Sequence, residues 1–130
     1  MAISEYQKWL KSAQGNLLRG DESNYSSNLD LPMELICFDL QQCVEKSLKS
    51  IFILHQEDFL YTHDLGLLVK NIEKTLKIHV PDYVKECTWM SKYAFKTRYP
   101  GDWEPISTEE YQEALMLAEK VYQWAKDIGK

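Results

Sequence analysis

Glycine and proline are scarce in this sequence, with five and four residues out of 130. A domain of many short strands needs turn-formers at close intervals, so all-β classes are disfavoured. Cysteine is scarce as well. Cys37, Cys43 and Cys87 form no CxxC pair and share no metal-ligand spacing with a histidine. Their odd number and apolar neighbours read as reduced, mostly buried thiols of a cytoplasmic protein. No apolar run approaches the roughly 18 residues that span a bilayer, and the first ten residues lack a signal-peptide h-region. Export and membrane insertion are therefore not expected. A basic surplus is also missing: 15 basic residues face 20 acidic ones, a net charge of −5. A free-standing nucleic-acid binder usually carries the opposite balance, so any RNA contact must come from a local cluster. Mild acidity suits docking to a basic partner. Walker, GxGxxG, HExxH, GxSxG and EF-hand patterns are all absent, and Ser, His and acid form no recognisable triad. Nothing in these residues calls for a metal or a cofactor.

What remains is a chain rich in helix formers, 45% hydrophobic, and of a length that suits one domain over residues 1–130. Tyr6, Trp9, Leu10, Ala13 and Leu17 recur at helical steps between Ser4 and Leu18. The polar stretch Gly20 to Asp30 reads as a loop. A long helix is expected from Asp30, with Pro32 in its first turn. Its stripe is Met33, Ile36, Cys37, Leu40, Val44, Ser47, Leu48 and Ile51, but Phe38 and Phe52 fall outside that stripe. The helix is therefore either central in the bundle or part of a subunit interface. A third helix is expected from Thr62 to about His79, where Pro81 ends it. A fourth runs from Pro81 to Pro100 with Tyr83, Cys87, Met90 and Ala94 inward. Ser107-Thr108-Glu109-Glu110 has the form of a capping box and starts a last helix. Its inward residues are Tyr111, Ala114, Leu115, Ala118, Val121, Tyr122 and Ala125. Short connections imply antiparallel neighbours, hence an all-α, up-down four-helix bundle with an additional helix.

Three groups of residues could carry chemistry. Arg98 ends the fourth helix, and steps of four, three and four link it to Ala94, Ser91 and Cys87. It leans toward the bundle, where a guanidinium needs a carboxylate, a helix C-terminal carbonyl or a phosphate. An Arg that simply satisfies the last carbonyls is the plainer reading. In Thr62-His63-Asp64-Leu65, Thr62 and Asp64 suit a helix start, and His63 between them could meet an anion or move a proton. The plainer reading there is a local hydrogen bond. Finally, Asp39, Gln42, Lys46 and Lys49 share one stripe of the second helix, and Gln41 and Glu45 are i,i+4 neighbours at the edge of its apolar face. A solvated polar face explains most of this, but paired amides beside an apolar stripe want defined partners. His55 and His79 are read as partnerless surface residues.

Taken together, Trp9 to Ala13, the block Ile36 to Lys49, Thr62-His63-Asp64-Leu65 and Arg98-Tyr99-Pro100 resemble the HEPN domain over nearly the whole chain. The resemblance implies an up-down helical bundle, often a homodimer, and in many members a minimal nucleotidyltransferase partner in a toxin–antitoxin pair. Some members are metal-independent RNases that use an Arg followed, after four to six intervening residues, by a His. Here Arg98 matches the Arg, while Trp103, Glu104 and Pro105 stand where the His would be. The resemblance therefore points to a non-catalytic protein that binds a nucleotide or phosphate group through Arg98, Tyr99, His63, Asp39, Gln42 and Lys46. The alternatives are an atypical RNase and a purely structural dimerisation module with its face on the second helix.

Overall fold

The structure is a computed structural model that describes residues 4–25, 31–95 and 104–130. Those residues form six α-helices and two 3₁₀ segments, with no strand among them. Helix α1 spans Glu5–Arg19 and opens with a capping box: Ser4 Oγ accepts from Gln7 N, and Gln7 returns its side chain to Ser4 N. Helix α2 spans Met33–Leu54 and follows Pro32, whose side chain offers no cap. Its stability comes from packing, since residues from Ile36 to Phe52 are buried almost without interruption. It stops at His55 because Gln56 takes a left-handed conformation (φ 57°), and Gln56 N and Glu57 N turn back onto Ile53 O and Phe52 O. That reversal sends residues 57–64 back along the helix they have just left.

Helix α3, Leu65–Thr75, starts three residues later than the sequence suggests. Asp64, not Thr62, is its cap: the Asp64 carboxylate accepts from Gly66 N and Leu67 N, while Thr62 Oγ1 accepts from Asp64 N. The expected single fourth helix is instead α4 (Asp82–Lys85), a 3₁₀ segment (Glu86–Ser91) and α5 (Lys92–Phe95). The tighter winding changes the inward set to Val84, Cys87, Met90 and Tyr93 and leaves Tyr83 exposed. Helix α6, Thr108–Ile128, begins as expected with Ser107 Oγ accepting from Glu110 N, but the Glu110 carboxylate accepts from the Tyr93 hydroxyl and pairs with Lys92. Leu117 joins its buried face, while Leu115 and Tyr122 are half-buried.

The two helices flanking α2 can be oriented from their hydrogen bonds. Tyr6 Oη, at the start of α1, donates to Ala125 O near the end of α6 at 2.5 Å. Tyr111 Oη, at the start of α6, donates to Gly20 O beyond the end of α1 at 2.9 Å and accepts from Glu22 N at 2.8 Å. Helices α1 and α6 are therefore antiparallel. Asn16 and Arg19 near the end of α1 meet Asp39 near the start of α2, so that pair is antiparallel as well. Helix α2 contacts α1, α3, α5, α6 and the long 3₁₀ segment, which makes it the centre of the bundle. Phe52 is fully buried inside the chain and cannot belong to a subunit face, whereas Phe38 remains exposed. All three cysteines are free and buried, and burial raises the Cys43 and Cys87 thiols to about 12.

Replacing Tyr111 by Phe removes a buried hydroxyl that serves a carbonyl and an amide at once. The expected loss is about 1–3 kcal/mol of unfolding free energy, measurable as a lower urea midpoint at unchanged slope.

Candidate functional site

Spacing on α2 builds the most unusual feature of the molecule. Gln41, Glu45 and Lys49 follow one another at i,i+4, so their side chains lie over one another on one side of the helix. All three are buried, Glu45 at 5% exposure. Gln41 Nε2 donates to Glu45 Oε1 at 3.0 Å, and Lys49 Nζ donates to Glu45 Oε2 at 2.9 Å. Gln42 Nε2 donates to Gln41 Oε1 at 2.7 Å, extending the chain of bonds toward the helix surface. The fifth member comes from outside the helix: His63 Nδ1 lies 2.8 Å from Glu45 Oε1. The imidazole is more than half exposed while the carboxylate beneath it is 6% exposed, so the acid is a buried anchor and the ring a surface group.

The electrostatics follow from this arrangement. Burial alone would raise the Glu45 carboxyl, but hydrogen bonds from Gln41, Lys49 and His63 outweigh it and hold the group below its ordinary value. Glu45 is therefore ionised, and Lys49 balances its charge. When the imidazole binds a proton the cluster carries one net positive charge, at the edge where the ring is exposed.

Aromatic rings flank the cluster. Lys49 Nζ lies 5.1 Å from the centre of the Phe59 ring. Phe59 in turn meets Trp9 edge-on at 5.2 Å and Tyr61 at a tilt at 5.4 Å. These contacts place α1, α2 and the segment 59–63 around one patch.

A second polar network lies between α1 and α2. Asp39 Oδ1 accepts from Asn16 Nδ2 (2.9 Å), Arg19 Nε (3.1 Å) and an Arg19 terminal nitrogen (2.9 Å). Lys46 Nζ donates to Ser12 Oγ (2.9 Å) and Asn16 Oδ1 (2.8 Å). Lys46 also borders a cleft of about 220 Å³ with Glu5, Lys8, Trp9 and Ser12.

The predicted site residues thus separate. His63 and Gln42 join the Glu45 cluster, whereas Asp39 and Lys46 are held in the α1–α2 network. Arg98 and Tyr99 lie outside the described residues. His63 has a partner 18 positions away, so its hydrogen bond is not the local one of the plainer reading. His55 and His79 are exposed, but neither lacks a partner: His55 Nδ1 meets Ile51 O at 2.9 Å, and His79 Nδ1 lies 3.8 Å from Glu73. The sequence reading names Glu45 and Lys49 among the polar residues of the second helix but not in the ligand-binding set. The signal is present nonetheless: Gln41, Glu45, Leu48 and Phe52 are spaced four, three and four, which sets a carboxylate within an apolar series. Among the described residues no three His, Cys, Asp or Glu side chains converge as a metal site, and no helix is long and apolar enough to cross a membrane.

Comparison with known proteins points one way. The family model of the HEPN domain matches residues 6–128. A crystal structure of an archaeal HEPN homologue superposes with a TM-score of 0.69 at 21% identity, over 98% of this chain and 100% of the other. The crystal structure of a protein from Thermus thermophilus gives a TM-score of 0.73 at 24% identity, over 96% of this chain and 98% of the other. No curated protein matches the chain.

Removing the buried acid by Glu45→Gln leaves Lys49 buried without its counter-charge, at an expected cost on the order of 3 kcal/mol. The folded carboxyl sits below the 4.5 of a free glutamate. Its contribution is thus complete above that value and is lost as pH falls through the lower, folded one. Chemical denaturation of both proteins should show a constant gap from neutral pH down to about pH 5 and a narrowing gap below it. A gap that widens on acidification contradicts this account.

Proposed function

The chain belongs to the HEPN domain family, and from that premise we propose that it is a non-catalytic member that binds a nucleotide through its phosphate at the exposed edge of the Glu45 cluster. The observation that carries this reading is the buried carboxylate, neutralised by Lys49 and bonded to a half-exposed imidazole. A protonated imidazole held in place by that acid would form a charge-assisted hydrogen bond to a phosphate oxygen. Arg98, carried over from the family pattern, is the second phosphate ligand of the proposal, with Tyr99 beside it. Asp39 and Lys46 have no part in it, because each already serves the α1–α2 network.

Binding is favoured over RNA cleavage by the sequence itself. Trp103, Glu104 and Pro105 occupy the positions where catalytic members have their His, and none of them can shuttle a proton as an imidazole does. The wider setting of the proposal is a cytoplasmic homodimer paired with a minimal nucleotidyltransferase in a toxin–antitoxin system. The net charge of −5 suits a basic partner surface.

Calorimetry with AMP and ATP tests the binding. Because a charge-assisted hydrogen bond contributes about 1.5–3 kcal/mol, His63→Ala and Arg98→Ala should each weaken binding by roughly ten-fold or more. An absence of binding heat in the wild type, or equal affinities in all three proteins, overturns the proposal. Affinity capture from the native host tests the pairing, and recovery without any nucleotidyltransferase removes that part.

A further inference from the structure

Tyr61 is the most exposed large hydrophobic residue described, at 95%. Its position is built rather than loose. Thr62 N donates to Leu60 O at 2.9 Å, a three-residue turn with Tyr61 at its apex. On one side Phe59 is fixed against Trp9. On the other, His63 is fixed to Glu45, and Thr62 and Asp64 are tied to the start of α3. The Tyr61 ring thus stands in solvent on a segment anchored at both ends, with one edge on Phe59. An aromatic side chain held in water by an ordered backbone contributes little to the core, but it presents a preformed face to a planar ligand at low ordering cost.

Two residues connect this ring row to the polar cluster. Lys49 both lies over Phe59 and pairs with Glu45. His63 is two positions from Tyr61 and bonded to the same carboxylate. An aromatic surface and a polar edge that carries an imidazole are therefore adjacent. A ligand that fits both has a planar ring at one end and an anionic group at the other.

We infer that Tyr61, backed by Phe59 and Trp9, is a stacking platform for the base of the bound nucleotide, placed beside the group that takes its phosphate. This inference rests on the phosphate reading of His63 proposed above and adds to it a determinant of which phosphates bind. Aromatic stacking tolerates any base, so the platform selects nucleotides over sugar phosphates rather than one base over another.

The experiment compares AMP with ribose 5-phosphate, which has the same sugar phosphate and no base, by calorimetry on the wild type, Tyr61→Ala and Tyr61→Phe. In the wild type AMP should bind about ten-fold tighter than ribose 5-phosphate. Tyr61→Ala should bring AMP down to the level of ribose 5-phosphate and leave ribose 5-phosphate itself unchanged. Tyr61→Phe should keep the wild-type preference. With so exposed a side chain, both variants should show the wild-type thermal transition, which confirms that the comparison is between folded proteins. Equal affinity of the wild type for the two ligands overturns the platform and leaves the phosphate site standing. A preference for AMP that survives in Tyr61→Ala places the base elsewhere and also overturns it. No binding of either ligand overturns both readings.

Discussion

A carboxylate in the middle of a packed helical bundle has to be satisfied on every side, and Glu45 sets that constraint for the rest of this molecule. A buried, ionised carboxylate without partners is far too costly to keep. Gln41 and Lys49 supply two bonds from the same helix. The helix alone does not supply the third, so the chain must return to deliver His63. That requirement explains the course of residues 55–64: a left-handed residue at Gln56 reverses the chain, the segment follows α2 backwards, and Asp64 starts α3 only after His63 has reached the acid. The start of the third helix is thus coupled to a charge in the second.

The two polar networks on α2 show how similar residues come to different uses. Asp39 and Lys46 lie between the facing surfaces of α1 and α2, and their partners Asn16, Arg19 and Ser12 all belong to α1. These bonds fix how the two helices lie against each other, and their partly exposed positions limit each to a modest contribution. Glu45, one residue from Lys46, points to another side of the helix, where the neighbour is a returning loop instead of a helix. A loop can hold an imidazole and a tyrosine at the surface while its backbone is tied down, which a closely packed helix face cannot.

Much of the architecture is legible in the sequence because helical periodicity survives almost everywhere. The stripes of α1, α2 and α6 predict the buried faces with small errors, and the scarcity of glycine and proline disfavours all-β classes. The family resemblance rests on blocks that the structure shows to be in contact, since Glu45 of one block bonds His63 of another. Errors arise where local rules compete. Thr62 and Asp64 are both good caps, and the chain uses both, with Asp64 serving the amides of α3 and Thr62 serving Asp64 N. Residues 82–95 keep apolar residues at helical spacing, yet part of the segment winds as 3₁₀, which replaces Tyr83 by Val84 on the inner face. The role of Glu45 is hidden for a different reason. A charged residue at the edge of a stripe is usually solvated, and nothing local shows that a distant histidine will cover it.

On the proposed reading, charge also sets the size of the ligand. Lys49 already compensates Glu45, so the cluster offers one positive charge when the imidazole is protonated, and Arg98 would add a second. Two cations suit one phosphate group. A long RNA would have to place many phosphates along a surface whose net charge is −5, and without a run of Lys and Arg to release counterions each further phosphate adds repulsion in place of affinity. The energy available beyond the phosphate must therefore come from an uncharged contact. An aromatic ring supplies one at no electrostatic cost, and in this fold Tyr61 stands where such a contact would be made, on the segment that carries His63 to the buried acid.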